Sequence, residues 1–569
     1  MKRRIFYCFI SLALTCSVAF FPFSAQAEPF SENGSGCTAI AVGKNASVDG
    51  SAMITHNDDS SVADFRLWII PARDWPEGAM RDIVIYSHDY VDYGVYPPVY
   101  PEDPPFGGAE IVGEMPQVPH TYAYFHSRYS FMNEKGVAMG ETTLGIDTST
   151  PHGREVRNVM IRQSTGLIDC WFAQDIALER AATAREAVRV MGDLVETYGW
   201  TNQSAECMDI TDGNEVWIAE FYGRDIWVAF KLPDDHVFVS ANRARINYVD
   251  FNDAENYMYS PNLVSFAVQQ GWYDPNSGEP FKPNEIYCPS KSIYSGRREW
   301  RALDLMANSL GLDPHADPDT YPLSVQPDQK LSVHDVFKIK GDYYEGTEFS
   351  LTVTPDEEPL FDTQLAGGPW GDPIRGSGFE RSIGIHRTCY VHIGQVKGWL
   401  PDPIKGVSWY GYGHPASTYL TPLWPIMEKL PEFYRNGTRV ETFRRDSGWW
   451  INTYTQRMAE LRWNSAIETI QEFRDPMMFD IYAKAAQVQE EATTLFYPHQ
   501  KQYEKHGKVP TQVVKLINDF AYNTAEAWHE DWKYLGDHLL TQHWAVQATS
   551  ASGLPQWWKD LIKYQPPVP

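Results

Sequence analysis

Apolar positions in the first half of the chain fall mostly in short runs. Thr38-Ala39-Ile40-Ala41-Val42 is closed by Gly43-Lys44 and reads as a strand. Asp49-Gly50 marks a hairpin turn, and Ser51-Ala52-Met53-Ile54-Thr55 reads as the returning strand. Phe131 to Met139 predicts strand, turn, strand. Cys207–Ile210, Glu215–Glu220, Trp227–Lys231 and Val237–Asn242 predict four further strands or strand ends. Residues 89–119, rich in Pro, Tyr and Gly, predict an irregular loop.

Helical spacing is clear in two places. Ile176, Leu178, Ala182, Ala187, Val188 and Val190 place one helix over Asp175–Tyr198, ending near Gly199. Beyond about Trp424 the pattern turns helical. Amphipathic stretches cover Trp449–Phe473, Met477–Tyr497 and Thr511–Tyr534, with Pro510 where a helix start tolerates it. Strands, a helix, strands and then helices, without strict βαβ alternation, predict mixed or antiparallel sheets with packed helices.

The first residues have a different character. Lys2, Arg3 and Arg4 precede the uncharged, mostly apolar run Ile5–Phe23, and Ala25-Gln26-Ala27 follows. This is the pattern of a secretory signal peptide cleaved after Ala27; an uncleaved membrane anchor is the alternative. Residues 28–36, polar and rich in Gly and Ser, read as a short propeptide. The protein is thus expected to be exported, to the periplasm, the cell surface or the medium, with no transmembrane segment in the mature chain.

The 569-residue chain carries 48 Lys and Arg against 74 Asp and Glu, a formal net charge of −26. That balance repels phosphate backbones and argues against a nucleic-acid partner. Five cysteines follow Ala27: Cys37, Cys170, Cys207, Cys288 and Cys389. The odd count leaves at least one thiol free or paired between chains; the other four can form up to two disulfides or stay as buried thiols. HExxH, GxSxG and GxxxxGK[ST] are all missing from the sequence. Asp274–Glu279 resembles half a calcium loop without its full spacing, and reads as a solvated turn.

Cys37 is the remaining candidate. It follows Gly34-Ser35-Gly36 and opens the first strand. A cut between Gly36 and Cys37 would put a thiol and a free α-amine on one residue. With a pKa of about 8, that amine can take the thiol proton without a histidine.

A resemblance supports this reading. Cys37–Ser51 (CTAIAVGKNASVDGS) with His56-Asn57-Asp58-Asp59-Ser60 resembles the start of mature C69-family dipeptidases. These are N-terminal nucleophile (Ntn) cysteine hydrolases related to the bile-salt hydrolase and penicillin V acylase group. Asn133–Val137, Glu141-Thr142-Thr143, Leu178–Ala181, Ala184–Ala187, Ser240–Arg243, Tyr344–Thr347 and Arg387-Thr388 are similar to the family, in the same order.

The resemblance implies an α+β fold, a four-layer αββα sandwich with antiparallel sheets. It spans residues 37–425, and residues 426–569 form a helical C-terminal extension. It implies hydrolysis of small peptides, typically dipeptides, through a Cys37 thioester, with no metal or organic cofactor. Asp59 would hold the Cys37 amine, Asn242 would serve the oxyanion region, and Arg298, or else Arg297 or Arg301, would be the active-site arginine. Thr142 and Thr143 lie where substrate contact is expected. His56 departs from the arginine common in the motif, which leaves its role open. An amidase for N-acyl amino acids or bile-salt conjugates would need only a different pocket. A non-catalytic secreted binding protein is the reading from another class. The helical extension could narrow the pocket mouth or join subunits into a homo-oligomer.

Overall fold

The computed structural model describes residues 35–60, 63–86, 109–350, 381–437, 442–461 and 463–545, with 560, 561 and 563. The signal-peptide reading and most of the propeptide strip lie outside the described residues.

Two antiparallel sheets form the centre. In the first, β1 (Ser35–Val42) and β2 (Ala52–Ser60) are the predicted hairpin. Second-sheet strands β3 (Ala138–Leu144) and β4 (Ala205–Thr211) come next in the chain. They are followed by β5 (Val237–Ser240), β6 (Tyr390–Val396) and β7 (Gly406–Tyr412) of the first sheet. Among the described residues the first sheet has seven strands, in the order Ser324–Val325, β5, β1, β2, β6, β7, Thr421–Leu423. The second has eight. It runs from Tyr257–Tyr259 through Ile226–Lys231, Val216–Gly223, β4 and β3 to Met132–Asn133, Tyr124–His126 and Trp68–Ile70. β1 and β2 pack against β3 and β4. Contact is close at Gly140, where an added Cβ would stand 2.3 Å from the Thr55 carbonyl oxygen; glycine lets the sheets meet there.

Helices cover the outer faces. α1 (Cys170–Arg180) and α2 (Ala184–Tyr198) pack on the second sheet and its flanking strands. Phe172, Ile176 and Met191 meet Trp217, Ala219 and Trp227 in one buried cluster. α3 (Ile293–Met306) lies on β5 and α4 (Val333–Lys340) on β6. α5 (Gly448–Glu460) packs on β7. α6 (Trp463–Phe496) and α7 (Thr511–Leu539) follow, and α7 lies against α5, α6 and Thr421–Leu423. β1 and β5 therefore have both faces covered, which is why they read as continuous apolar runs.

Three expectations are corrected. The helix predicted over Asp175–Tyr198 is two helices, because Thr183 caps the second by accepting from the Glu186 amide. Part of the predicted 89–119 loop is strand: Ala109–Pro116 pairs with Met80–Tyr86; residues 87–108 lie outside the described residues. The stretches Trp449–Phe473 and Met477–Tyr497 do not divide at Pro476, which sits inside α6; the break falls between Glu460 and Trp463. Arg474 donates to the Ala416 carbonyl at 2.7 Å and Met478 is fully buried, so tertiary contacts hold α6 on both sides of the proline. Cys37, Cys170, Cys207 and Cys288 are free and buried, and Cys389 is buried. Among the described residues no helix is long and apolar enough to cross a membrane.

Candidate active site

Strand register builds the site. β1 pairs with β2 so that Gly36 faces Asp59 and Cys37 faces Asp58. β1 pairs with β5 through Ala39 and Ser240. Continuing that register past Ser240 brings Asn242 opposite Cys37. The Cys37 amide donates to Asn242 Oδ1 at 3.1 Å, and Asn242 Nδ2 donates to the Thr143 carbonyl at 2.7 Å. Asn242 has φ +67°, a left-handed conformation that asparagine adopts more readily than most residues.

Alternation along β1 sends Cys37 between the sheets and Thr38 toward the helices. The Cys37 thiol donates to Glu141 Oε2 at 3.5 Å. His56 Nε2 lies 3.4 Å from the same oxygen, and His56 Nδ1 is 3.1 Å from the Tyr390 hydroxyl. On the other side Arg298, from α3, gathers the backbone. Its Nη1 donates to the Cys37 carbonyl at 2.6 Å and to Thr38 Oγ1 at 2.9 Å. Its Nη2 donates to Asn242 Oδ1 at 2.8 Å and to the Ala241 carbonyl at 3.0 Å. Arg297 turns away to the Pro314 carbonyl and Phe349, and Arg301 pairs with Asp342 at 2.8 Å. Of the three candidates, Arg298 is the one placed at the cysteine.

Asp59 stands beside the site, but its carboxylate accepts from Arg381 and, at 2.5 Å, from Thr388 Oγ1. Arg381 Nη2 also donates to the Gly36 carbonyl at 3.2 Å. Tyr294 closes this corner. Its hydroxyl accepts from Arg387 at 3.0 Å, and a Cβ on Gly36 would stand 2.7 Å from it. Thr142 bonds to Ser240, and Thr143 Oγ1 donates to Glu141 Oε1 at 3.2 Å. Asn133 ends the Met132–Asn133 strand just before a turn, and its Nδ2 donates to the Leu178 and Ala181 carbonyls at 2.8 Å each.

Burial dominates the electrostatics. It pushes the Cys37 thiol well up, with Glu141, Asp58 and Asp59 adding to the shift. It pushes Glu141 up, reinforced by Glu206, and His56 well down, reinforced by Lys340. Lys340, which donates to the Thr38 carbonyl, is pushed down to about 7 by burial. Burial thus favours the uncharged form of the thiol, of the imidazole and of the Glu141 carboxyl.

Arg381, Tyr294, Glu141 and Lys340 were not singled out from the sequence. Glu141 alone left a local signal, a carboxylate within the similar stretch Glu141-Thr142-Thr143.

Comparison with known proteins adds identity to this geometry. The family model for peptidase family C69 matches residues 36–475. A protein of Latilactobacillus sakei named "Probable dipeptidase" is 28% identical over 440 residues, covering 74% of this chain and 80% of its own length. One from Salmonella dublin with the same name is 27% identical over 405 residues, 69% of this chain and 81% of its own. A "Dipeptidase" of Bifidobacterium longum (strain NCC 2705) is 24% identical over 472 residues, 77% of this chain and 80% of its own. With the family match covering most of the chain and beginning one residue before the buried Cys37, this protein belongs to peptidase family C69.

Proposed function

We propose that the protein is an exported, self-processing cysteine dipeptidase of the Ntn type, with Cys37 as its N-terminal nucleophile. In this reading the two sheets and their covering helices are the four-layer αββα sandwich of Ntn hydrolases. The observation that carries it is the set of partners around one residue. The amide of Cys37 is on Asn242, its carbonyl on Arg298, its thiol beside Glu141, and the preceding Gly36 carbonyl on Arg381. The relatives named as dipeptidases supply the substrate class.

The chemistry follows from these positions. While Cys37 is joined to Gly36 its nitrogen is an amide and cannot act as a base. Hydrolysis of the Gly36–Cys37 bond frees the α-amine, whose pKa of about 8 suits proton transfer near neutrality. The amine takes the thiol proton as Sγ attacks the substrate carbonyl. It returns that proton to the leaving amine as the thioester forms. Water, activated by the same amine, then releases the acid. Asn242 and Arg298 hold the nucleophile's backbone, so thiol and amine stay in register. Asp59, through Arg381, holds the strand end that carries the cut.

N-terminal sequencing of purified protein, followed by a panel of dipeptides run beside N-acyl amides, tests this. A start at Cys37 with dipeptide hydrolysis that Cys37→Ala abolishes is the expected result. A start at Glu28 in folded, active protein, or an acyl-amide response with a silent dipeptide panel, overturns it.

A further inference from the structure

We propose that Cys37, His56 and Glu141 form a site for a thiophilic divalent cation of the zinc class, and that its occupancy reversibly blocks the nucleophile. Among the described residues these three are the one trio of His, Cys, Asp and Glu side chains whose ligand atoms converge, all within 4.8 Å of one another. Sγ to Glu141 Oε2 is 3.5 Å and His56 Nε2 to the same oxygen is 3.4 Å. A tetrahedral zinc ion with bonds of about 2.3 Å to sulfur and about 2.0 Å to nitrogen and oxygen sets its ligand atoms roughly 3.3–3.5 Å apart. Two edges of the triangle already have that spacing.

The surroundings fit a ligand set. His56 Nε2 is buried without a hydrogen-bond partner, while Nδ1 lies on the Tyr390 hydroxyl. With its proton on Nδ1, the ring presents the Nε2 lone pair to the cation. Tyr129 and Tyr390 meet the imidazole edge-on, at 4.9 and 5.5 Å between centroids, and fix its plane. Thr143 Oγ1 donates to the second oxygen of Glu141 at 3.2 Å, leaving Oε2 to the site. The ligands come from β1, β2 and β3, three rigid strands of two sheets, and strand-borne ligands hold their geometry better than loop-borne ones. Three protein ligands leave one position for water or, once Cys37 is N-terminal, for its own amine.

Cation binding needs only these three side chains and releases the thiol proton to solvent as the sulfur–metal bond forms; inhibition also rests on Cys37 being the nucleophile proposed above. The test is titration of the purified, chelator-treated full chain with Co²⁺, read as the thiolate-to-cobalt charge-transfer absorption, with Zn²⁺ as competitor. The expected result is saturation near one equivalent per chain. The band should disappear in Cys37→Ala and form with roughly 10- to 100-fold weaker affinity in His56→Ala and Glu141→Gln. Tyr390→Phe keeps all three ligands and loses only the bond to Nδ1; it should weaken binding while preserving the thermal melt. This variant keeps the test valid if a ligand variant fails to fold. No band in the wild type, or unchanged affinity in His56→Ala, Glu141→Gln and Tyr390→Phe, overturns the proposal. Dipeptide hydrolysis, measured separately, should stop with Zn²⁺ and return with chelator. Hydrolysis without a band sinks the cation site alone, whereas a band on protein that never hydrolyses dipeptides sinks the dipeptidase reading alone.

Discussion

The amide of Cys37 reaches Asn242 Oδ1 at 3.1 Å across a sequence separation of 205 residues. Asn242 holds its left-handed φ of +67° while accepting from both Cys37 and Arg298. A non-glycine residue in that region costs on the order of 1 kcal/mol or more. The strain persists because the carboxamide is fully engaged. Asn242→Gly relieves the backbone and removes the carboxamide; Asn242→Ala removes the carboxamide and keeps the strain. The glycine variant should therefore be the more stable by about 1 kcal/mol. Both should lose a comparable part of kcat/KM, roughly 10- to 100-fold for hydrogen-bonding groups left unpaired. Thermal melts and steady-state kinetics on the pair separate the two effects.

Gly36 and Tyr294 make a steric prediction about the proposed self-cleavage. An added Cβ at Gly36 would stand 2.7 Å from the Tyr294 hydroxyl and 3.1 Å from Asn242 Oδ1. Gly36→Ala should displace the carbonyl from Arg381 and slow or stop processing, read as retention of the longer chain on a gel. Adding Tyr294→Phe removes the nearer obstacle and should restore part of the rate. Equal processing in wild type and Gly36→Ala would show that the arrangement around Gly36 does not govern the cut.

Two buried titrating groups predict how stability depends on pH. Burial pushes Asp209 up from 3.8 to about 7, against a smaller opposing pull from Lys340. Its neutral form is favoured in the fold, so its contribution is complete below pH about 4 and is lost as the pH rises to about 7. Lys340 works in the next window: held down from 10.5 to about 7, it adds stability as the pH rises from about 7 toward 10.5. Together they predict a shallow minimum near neutrality. Asp209→Asn should flatten the falling limb and Lys340→Met the rising one, as read by melting temperature from acid to mild alkali. A variant that keeps the limb assigned to its residue refutes that assignment.

The C-terminal helices bear on the core as well as the surface. Trp532 on α7 is fully buried, 4.8 Å from Tyr419 and 6.1 Å from Trp528 between ring centroids. Trp532→Ala should cost about 3–5 kcal/mol through the cavity it opens. Trp532→Phe should cost clearly less, because the indole N–H is itself buried without a partner among the described residues. Chemical denaturation of the two variants measures the difference. Small and equal losses would place α7 outside the cooperative core.

Much of the local structure could be read in advance. Strands β1 and β2 and the late helices follow from periodicity, because burial of one face is written into neighbouring residues; the strands are joined by the longer connection 43–51, whose Ser47 bridges Leu331, and not by a two-residue turn at Asp49-Gly50. Cys37 stood out because Gly34-Ser35-Gly36 precedes it and the apolar run follows it; in the structure β1 already begins at Ser35. Asn242 and Arg298 were reached through family resemblance, and the choice among Arg297, Arg298 and Arg301 waited on the structure. All three lie on α3, where successive residues point about 100° apart. Only the packing of α3 on β5 shows which one faces Cys37.

Chemistry that depends on distant segments could not be read this way. Arg381 lies 345 residues from Gly36, and Glu141 lies 104 residues from Cys37. Helix ends at Thr183 and between Glu460 and Trp463, and the survival of α6 through Pro476, were also decided by capping and tertiary contact. Local patterning sets which residues can form a strand or a helix, and here it also singled out Cys37. Sheet register and the closeness of the two sheets at Gly140 decided which side chains meet it. Register is a long-range agreement between strands, and no window of neighbouring residues contains it.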